Sequence, residues 1–197
     1  MINLAKSFLA LLALTLVAAC GTSQSGESAP PPGTPAEVAA LAASIRALGP
    51  EVDPEEASRA AQVAYDYTHT LALRYQITDP PLIHNTKVNM GTKPRGLCWH
   101  WAHDLEKRLK EERFQTLDLH RAIANSRNWR IEHSTAIVSA KGDQFDDGIV
   151  LDPWRKGGVL TWMPVREDPR YGWEERRLVL ERKRGQLPPE AYDAAIE

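Results

Sequence analysis

Small and apolar residues recur at three- and four-residue intervals along one stretch of this chain: Ala57, Ala60, Ala61, Ala64, Tyr65, Thr68, Leu71, Ala72 and Tyr75. That spacing lays them on one face of a helix. Asp53-Pro54-Glu55-Glu56 offers a capping carboxylate, a proline in the first turn and early acidic residues, so the helix is predicted to start there and run to about Tyr75. A shorter helix precedes it. Thr34-Pro35-Ala36-Glu37 sets a hydroxyl cap three residues before a glutamate, and Gly49-Pro50 stops the helix after about Leu48. Asp79-Pro80-Pro81 breaks the long helix. Residues 82–95 contain Asn85, Asn89, Gly91 and Pro94 without a sustained period and read as a loop. Helical spacing returns from Leu97, with Ala102, Leu105 and Leu109 on one side, and the charges from Glu106 to Arg113 read as its solvated face.

After Phe114 the period shortens. Thr116 to Ala122 and Trp129 to Ala140 contain alternating apolar residues suited to strands. Lys141-Gly142-Asp143 is a turn, Ile149 to Leu151 a short strand ending at Asp152-Pro153, Gly157-Gly158 another turn, and Val159 to Met163 another strand. Arg176 to Arg184 fits strand or helix, and Pro188-Pro189-Glu190 marks the start of a short terminal helix. Helices come first and a run of mostly antiparallel strands follows. The fold class predicted is α+β, with N-terminal helices and a cysteine-bearing helix packed on the sheet.

Composition narrows the function. The chain has 197 residues with 24 basic and 26 acidic side chains, so bulk electrostatics predict no nucleic-acid partner. The apolar fraction of 43% is enough for one core without metals or disulfides. The N-terminus stands apart: Lys6 precedes an apolar run from Phe8 to Ala19, too short and wrongly flanked to span a bilayer, so residues 1–19 read as an export signal. The run ends in Leu16-Val17-Ala18-Ala19-Cys20-Gly21, which resembles the lipobox of bacterial lipoproteins. A plain signal peptide with an incidental cysteine is the other reading. The resemblance implies cleavage before Cys20, lipid on its sulfur, and a membrane partner reached through the acyl chains. It further implies a cell-envelope address; since Gly21 is not aspartate, in a Gram-negative cell this is the outer membrane facing the periplasm. Residues 20–33 are then the lipidated cysteine and a Ser-, Gly-, Thr- and Pro-rich tether, and 34–197 a single domain.

If Cys20 carries lipid, the chain's other cysteine, Cys98, has no intramolecular partner. Cys98 follows Gly96 at the start of a predicted helix, where unpaired amides and the helix dipole favour a thiolate and later an oxyanion. A thiol nucleophile needs a base, and the base an orienting group. His133 lies in a predicted strand and Asp152 closes the next, so adjacent antiparallel strands place imidazole and carboxylate side by side. Taken singly, Cys98 reads as well as a small buried hydrophobe, His133 as a core histidine and Asp152 as a strand-end turn residue. As an ordered set they read as a Cys-His-Asp triad. Cys98, His100 and His103 do not supply three convergent ligands for zinc, and no cofactor motif is present. Trp99, Trp101, Trp154 and Trp162 read as packing, with Trp154 shielding the site from water.

Gly96-Leu97-Cys98-Trp99 at a helix start, a strand histidine and Leu151-Asp152-Pro153-Trp154 together resemble the transglutaminase-like core, a branch of the papain-like cysteine enzymes, over roughly residues 55 to 165. The resemblance implies that Cys98 attacks an acyl carbonyl, that His133 is base and then acid, and that Asp152 orients it. It also implies an oxyanion donor upstream of the cysteine, for which Asn85 and Asn89 stand open. No flanking β domains or calcium pattern accompany the core, so hydrolysis of a peptide or amide bond is expected rather than amine transfer. The substrate class expected is a peptide, a protein or a cell-wall peptide. Two rival readings are a non-catalytic envelope binding or assembly lipoprotein on the same fold and an NlpC-type peptidoglycan endopeptidase.

Overall fold

A computed structural model describes residues 29–185. The lipobox, the export signal and the predicted terminal helix at Pro188 fall outside these residues. No helix among the described residues is long and apolar enough to cross a membrane.

Helix α1 spans Pro35–Arg46 and α2 Pro54–Arg74. Their starts follow from local chemistry. Thr34 Oγ1 accepts from the Glu37 amide at 3.3 Å while Glu37 Oε2 accepts from the Thr34 amide at 2.8 Å, a reciprocal cap. Asp53 Oδ1 accepts from the amides of Glu55 and Glu56 at 2.8 and 2.9 Å. The alanine stripe of α2 is buried, and its small side chains let Leu41 and Ile45 of α1 and Leu105 and Leu109 of the cysteine-bearing helix close on it in one core.

Residues predicted as a loop contain a further helix, α3, Pro81–Asn89. Only His84 of this helix is buried, so there is no apolar period for a sequence pattern to detect. Helix α4, Cys98–Lys110, lies across strands β1, Leu117–Ala124, and β2, His133–Ala140. Strands β3, Ile149–Asp152, β4, Thr161–Pro164, and β5, Trp173–Glu175, complete an antiparallel sheet in the order β4-β3-β2-β1-β5. Helix α5, Arg176–Lys183, settles the ambiguous segment as helical. The strand predicted from Trp129 begins only at His133, because Asn128 to Glu132 form a turn, whereas β1 runs on to Ala124.

The fold is α+β, as predicted. Strand β2 is central and buried on both faces. Ala136 and Val138 face the helices with Leu117, Ile149 and Leu151. Ile137 faces the other way, into a smaller core with Ala122, Val150 and Val165, against which Phe145 and Trp173 pack. The end of the proline-rich stretch, predicted to have no means of packing, lies against the domain: Ala29, Pro30 and Gly33 are half-buried, and a Cβ on Gly33 would fall 2.2 Å from the Tyr65 ring.

Candidate functional site

The strand period places two of the three predicted site residues. His133 opens β2 and Asp152 closes β3. Ala136 pairs with Leu151, so one step along the same register sets Asp152 opposite Thr135, diagonal to His133 on the same face. The side chains meet: His133 Nε2 donates to Asp152 Oδ2 at 2.6 Å, and the two residues are only 2% and 1% exposed.

The third residue comes from a helix end. Cys98 is the first residue of α4, half-buried, and its thiol donates to the Glu132 carbonyl at 3.7 Å, one residue before His133. The Nδ1 atom of His133 is buried without a hydrogen-bond partner among the described residues. Burial works against the imidazolium, but the hydrogen bond to Asp152 and the nearby Cys98 thiol outweigh it and push His133 up to about 9. The structure therefore brings Cys98, His133 and Asp152 together, with the histidine between the other two. Cys20 lies outside the described residues.

Three rings surround the imidazole. The Trp154 and Tyr171 centroids are each 4.7 Å from that of His133, and Trp173 is at 5.4 Å. Trp154 was expected to shield the site; its indole also donates to Asn85 Oδ1 at 3.0 Å. This bond occupies the amide oxygen of Asn85 and leaves the NH₂ as the group free to donate elsewhere. Asn89 is exposed at the end of α3.

The start of α4 is braced from below. Gly96 has φ +126°, a conformation suited to glycine, and a Cβ there would lie 2.4 Å from His84 Nε2. That nitrogen donates to the Arg95 carbonyl at 2.8 Å. Trp101 Nε1 donates to the Gly96 carbonyl at 3.0 Å. His100, weighed in the sequence as a metal ligand, points inward: its Nδ1 accepts from the amides of Gly96 and Leu97, both at 3.2 Å. Burial, with Arg95 nearby, pushes His100 down to about 4, which keeps it neutral and able to accept. The amides of Cys98 and Trp99 have no hydrogen-bond acceptor among the described residues, as first-turn donors of a helix. His103 is exposed, and no group of three or more His, Cys, Asp or Glu side chains among the described residues could hold a metal ion.

Sequence reasoning missed the groups behind Asp152. The Arg155 amide donates to Asp152 Oδ1 at 3.1 Å and its Nε to Oδ2 at 3.0 Å. The rest of the guanidinium forks onto Asp168, at 3.1 and 2.6 Å, and lies 4.8 Å from the Tyr171 ring centroid. Burial pushes the Asp168 carboxyl up, but hydrogen bonds from Arg155, the Arg170 amide and Trp173 hold it below the usual carboxylate range. The only local signal was an arginine three residues after Asp152; Asp168 and Tyr171 had none.

No protein-family model, curated protein or solved structure matches this chain.

Proposed function

We propose that this protein is a thiol-dependent acyl-transfer enzyme that hydrolyses a peptide or amide bond, with Cys98 as nucleophile, His133 as acid and base, and Asp152 as the group that orients His133. The observation that carries the reading is the buried His133: its Nε2 is fixed by Asp152 and its Nδ1 is left unpartnered beside a thiol at a helix start. An imidazolium held up to about 9 stabilises a neighbouring thiolate across neutral pH.

The geometry supports the following chemistry. The Cys98 thiolate attacks the substrate carbonyl, forming a C–S bond while the carbonyl π electrons move to oxygen. The Cys98 and Trp99 amides at the start of α4 are positioned to receive that oxyanion. Asn85, held through its amide oxygen by Trp154, is the stronger upstream candidate for a second donor. Collapse breaks the C–N bond as His133 gives its proton to the departing amine, leaving a thioester. His133 then takes a proton from water, which attacks the thioester and releases the acid and the thiolate. This is the chemistry of the transglutaminase-like enzymes that the motifs around Cys98, His133 and Asp152 resemble. With Cys20 lipidated, the domain works at the cell envelope on a peptide, protein or cell-wall peptide.

The test is the pH dependence of Cys98 alkylation by iodoacetamide, read by peptide mass mapping so that Cys20 is scored separately. Reaction that persists at about pH 6, where an ordinary thiol is almost wholly protonated, and that is lost in His133→Ala supports the ion pair. A Cys98 that reacts only in denaturant, with no dependence on His133, overturns the enzyme reading.

A further inference from the structure

Beside the thiol lies a groove of about 330 Å³ that the proposed chemistry does not use. Trp99 and Glu132 form its end nearest Cys98, and His103, Arg121, Ser134 and Arg176 line it further along. It adjoins the reacting sulfur, since Trp99 follows Cys98 in the chain and the Glu132 carbonyl accepts from the thiol.

Arg121 is unusual for its position. Its side chain is 9% exposed, inside β1 of the sheet. One terminal nitrogen donates to Ser134 Oγ at 2.9 Å and the other lies 3.6 Å from Glu106 Oε2. Its Nε–H is buried without a hydrogen-bond partner among the described residues. Glu106 is shared, because it also accepts from Lys110 at 2.7 Å. Burial holds the Arg121 guanidinium below its ordinary value: Glu106 supports the charge, the Arg176 guanidinium disfavours it, and the Cys98 sulfur supports it, without making up for burial.

Arg176 adds to the imbalance. It begins α5, is exposed, and makes no ion pair among the described residues. The acidic groups nearby are engaged elsewhere: Glu132 with Lys183, and Glu175 with Arg177 at 3.4 Å. The charged side chains that line the groove are Arg121, Arg176 and Glu132, an excess of one positive charge. A planar guanidinium fork suits a carboxylate, and a single carboxylate balances the groove where a dianionic phosphate overshoots it.

We propose that this groove binds a carboxylate of the substrate through Arg121 and Arg176, so that the enzyme selects peptides or amides carrying a negative charge next to the bond presented to Cys98. The substrate assignment rests on the reading of Cys98 as nucleophile; carboxylate binding by the groove does not.

The experiment has a binding arm and a reactivity arm on the full-length chain. In the first, Cys98→Ser protein is titrated with N-acetylglycine, which carries a terminal carboxylate, with N-acetylglutamate α-amide, which carries a side-chain one, and with neutral N-acetylglutamine α-amide. NMR follows the Trp99 indole and the Ser134 amide. One or both carboxylates shift these signals, identifying the source of the charge, while the neutral amide binds roughly tenfold more weakly; Arg176→Gln removes the difference. In the second arm, N-iodoacetylglycine alkylates Cys98 of the wild-type chain faster than N-iodoacetylglycinamide, and the ratio falls towards one in Arg121→Gln and Arg176→Gln. Arg176 is exposed, so its variant keeps the test open if Arg121→Gln fails to fold. Equal binding of charged and neutral probes, or a preference unaltered in Arg176→Gln, overturns the proposal. An unreactive thiol with carboxylate binding intact removes the enzyme reading and leaves an anion site.

Discussion

Arg155 donates its Nε to Asp152 Oδ2, the same oxygen that accepts from His133, and its amide to Oδ1, while its remaining nitrogens grip Asp168. The carboxylate that orients the histidine is therefore itself oriented, and the whole row is buried: the side chains of Asp152, Arg155 and Asp168 are 1%, 8% and 0% exposed. Removing the cation leaves two buried carboxylates without their partner. Arg155→Met is expected to cost about 3–5 kcal/mol in urea unfolding, the range for breaking a buried ion pair from one side. The same variant slows Cys98 alkylation, since Asp152 no longer has a fixed position from which to hold His133.

His133 gives the fold an alkaline limit. Its folded value, about 9, lies above the ordinary histidine value of 6.5, so the folded state binds the proton more tightly than the unfolded chain does. The resulting stabilisation is complete below about pH 6.5 and lost as pH rises through about 9, a change on the order of 3 kcal/mol. Denaturant midpoints across that interval should fall in the wild-type chain and stay level in His133→Gln. A wild-type midpoint that is level between these pH values contradicts the assignment.

His100 acts in the opposite direction. Its folded value is depressed to about 4, so the folded state favours the neutral ring that caps Gly96 and Leu97. Stability from this group is present above about pH 6.5 and is lost as pH falls towards about 4, where the protonated Nδ1 can no longer accept. Asn at this position keeps an acceptor without a proton to gain. Thermal unfolding of His100→Asn should therefore show a smaller loss than wild type between pH 6.5 and 4.

Gly96→Ala tests the floor of the site. The substitution places a Cβ in a left-handed conformation and against the His84 ring, and His84 is fully packed. A destabilisation of about 2–4 kcal/mol is expected from backbone strain and overpacking together. Opening space with His84→Ala in the same chain should recover part of it, which a double-mutant cycle measures.

Long periodic helices with capping residues were legible in the sequence. The apolar stripe of α2 and the reciprocal bonds of Thr34 and Glu37 depend on residues within a few positions of one another. Helix α3 was not legible because it presents only His84 to the interior, and β5 because three residues carry no period. For the candidate site, Cys98, His133 and Asp152 were visible as residue types at the ends of regular elements, where backbone geometry fixes direction. Arg155, Asp168 and Tyr171 gain their roles from loops folded back against the sheet, and nothing in their local sequence indicates which ring or carboxylate they meet. His100 was noticed as a possible ligand; its inward turn onto two amides depends on the path of the chain before Cys98.

The order of these residues along the chain has a consequence for biosynthesis. Cys98 is made early, but the segment bearing Asp168, Tyr171 and Trp173 comes some seventy residues later and closes around His133 from the far edge of the sheet. A nascent or truncated chain that lacks this segment keeps Cys98, His133 and Asp152 but loses the Tyr171 and Trp173 rings that pack on the imidazole and the Asp168 carboxylate that grips Arg155. The bracing of Asp152 and the enclosure of His133 are thus completed only when synthesis has passed Trp173, and a protein cut before that point leaves the histidine open to solvent.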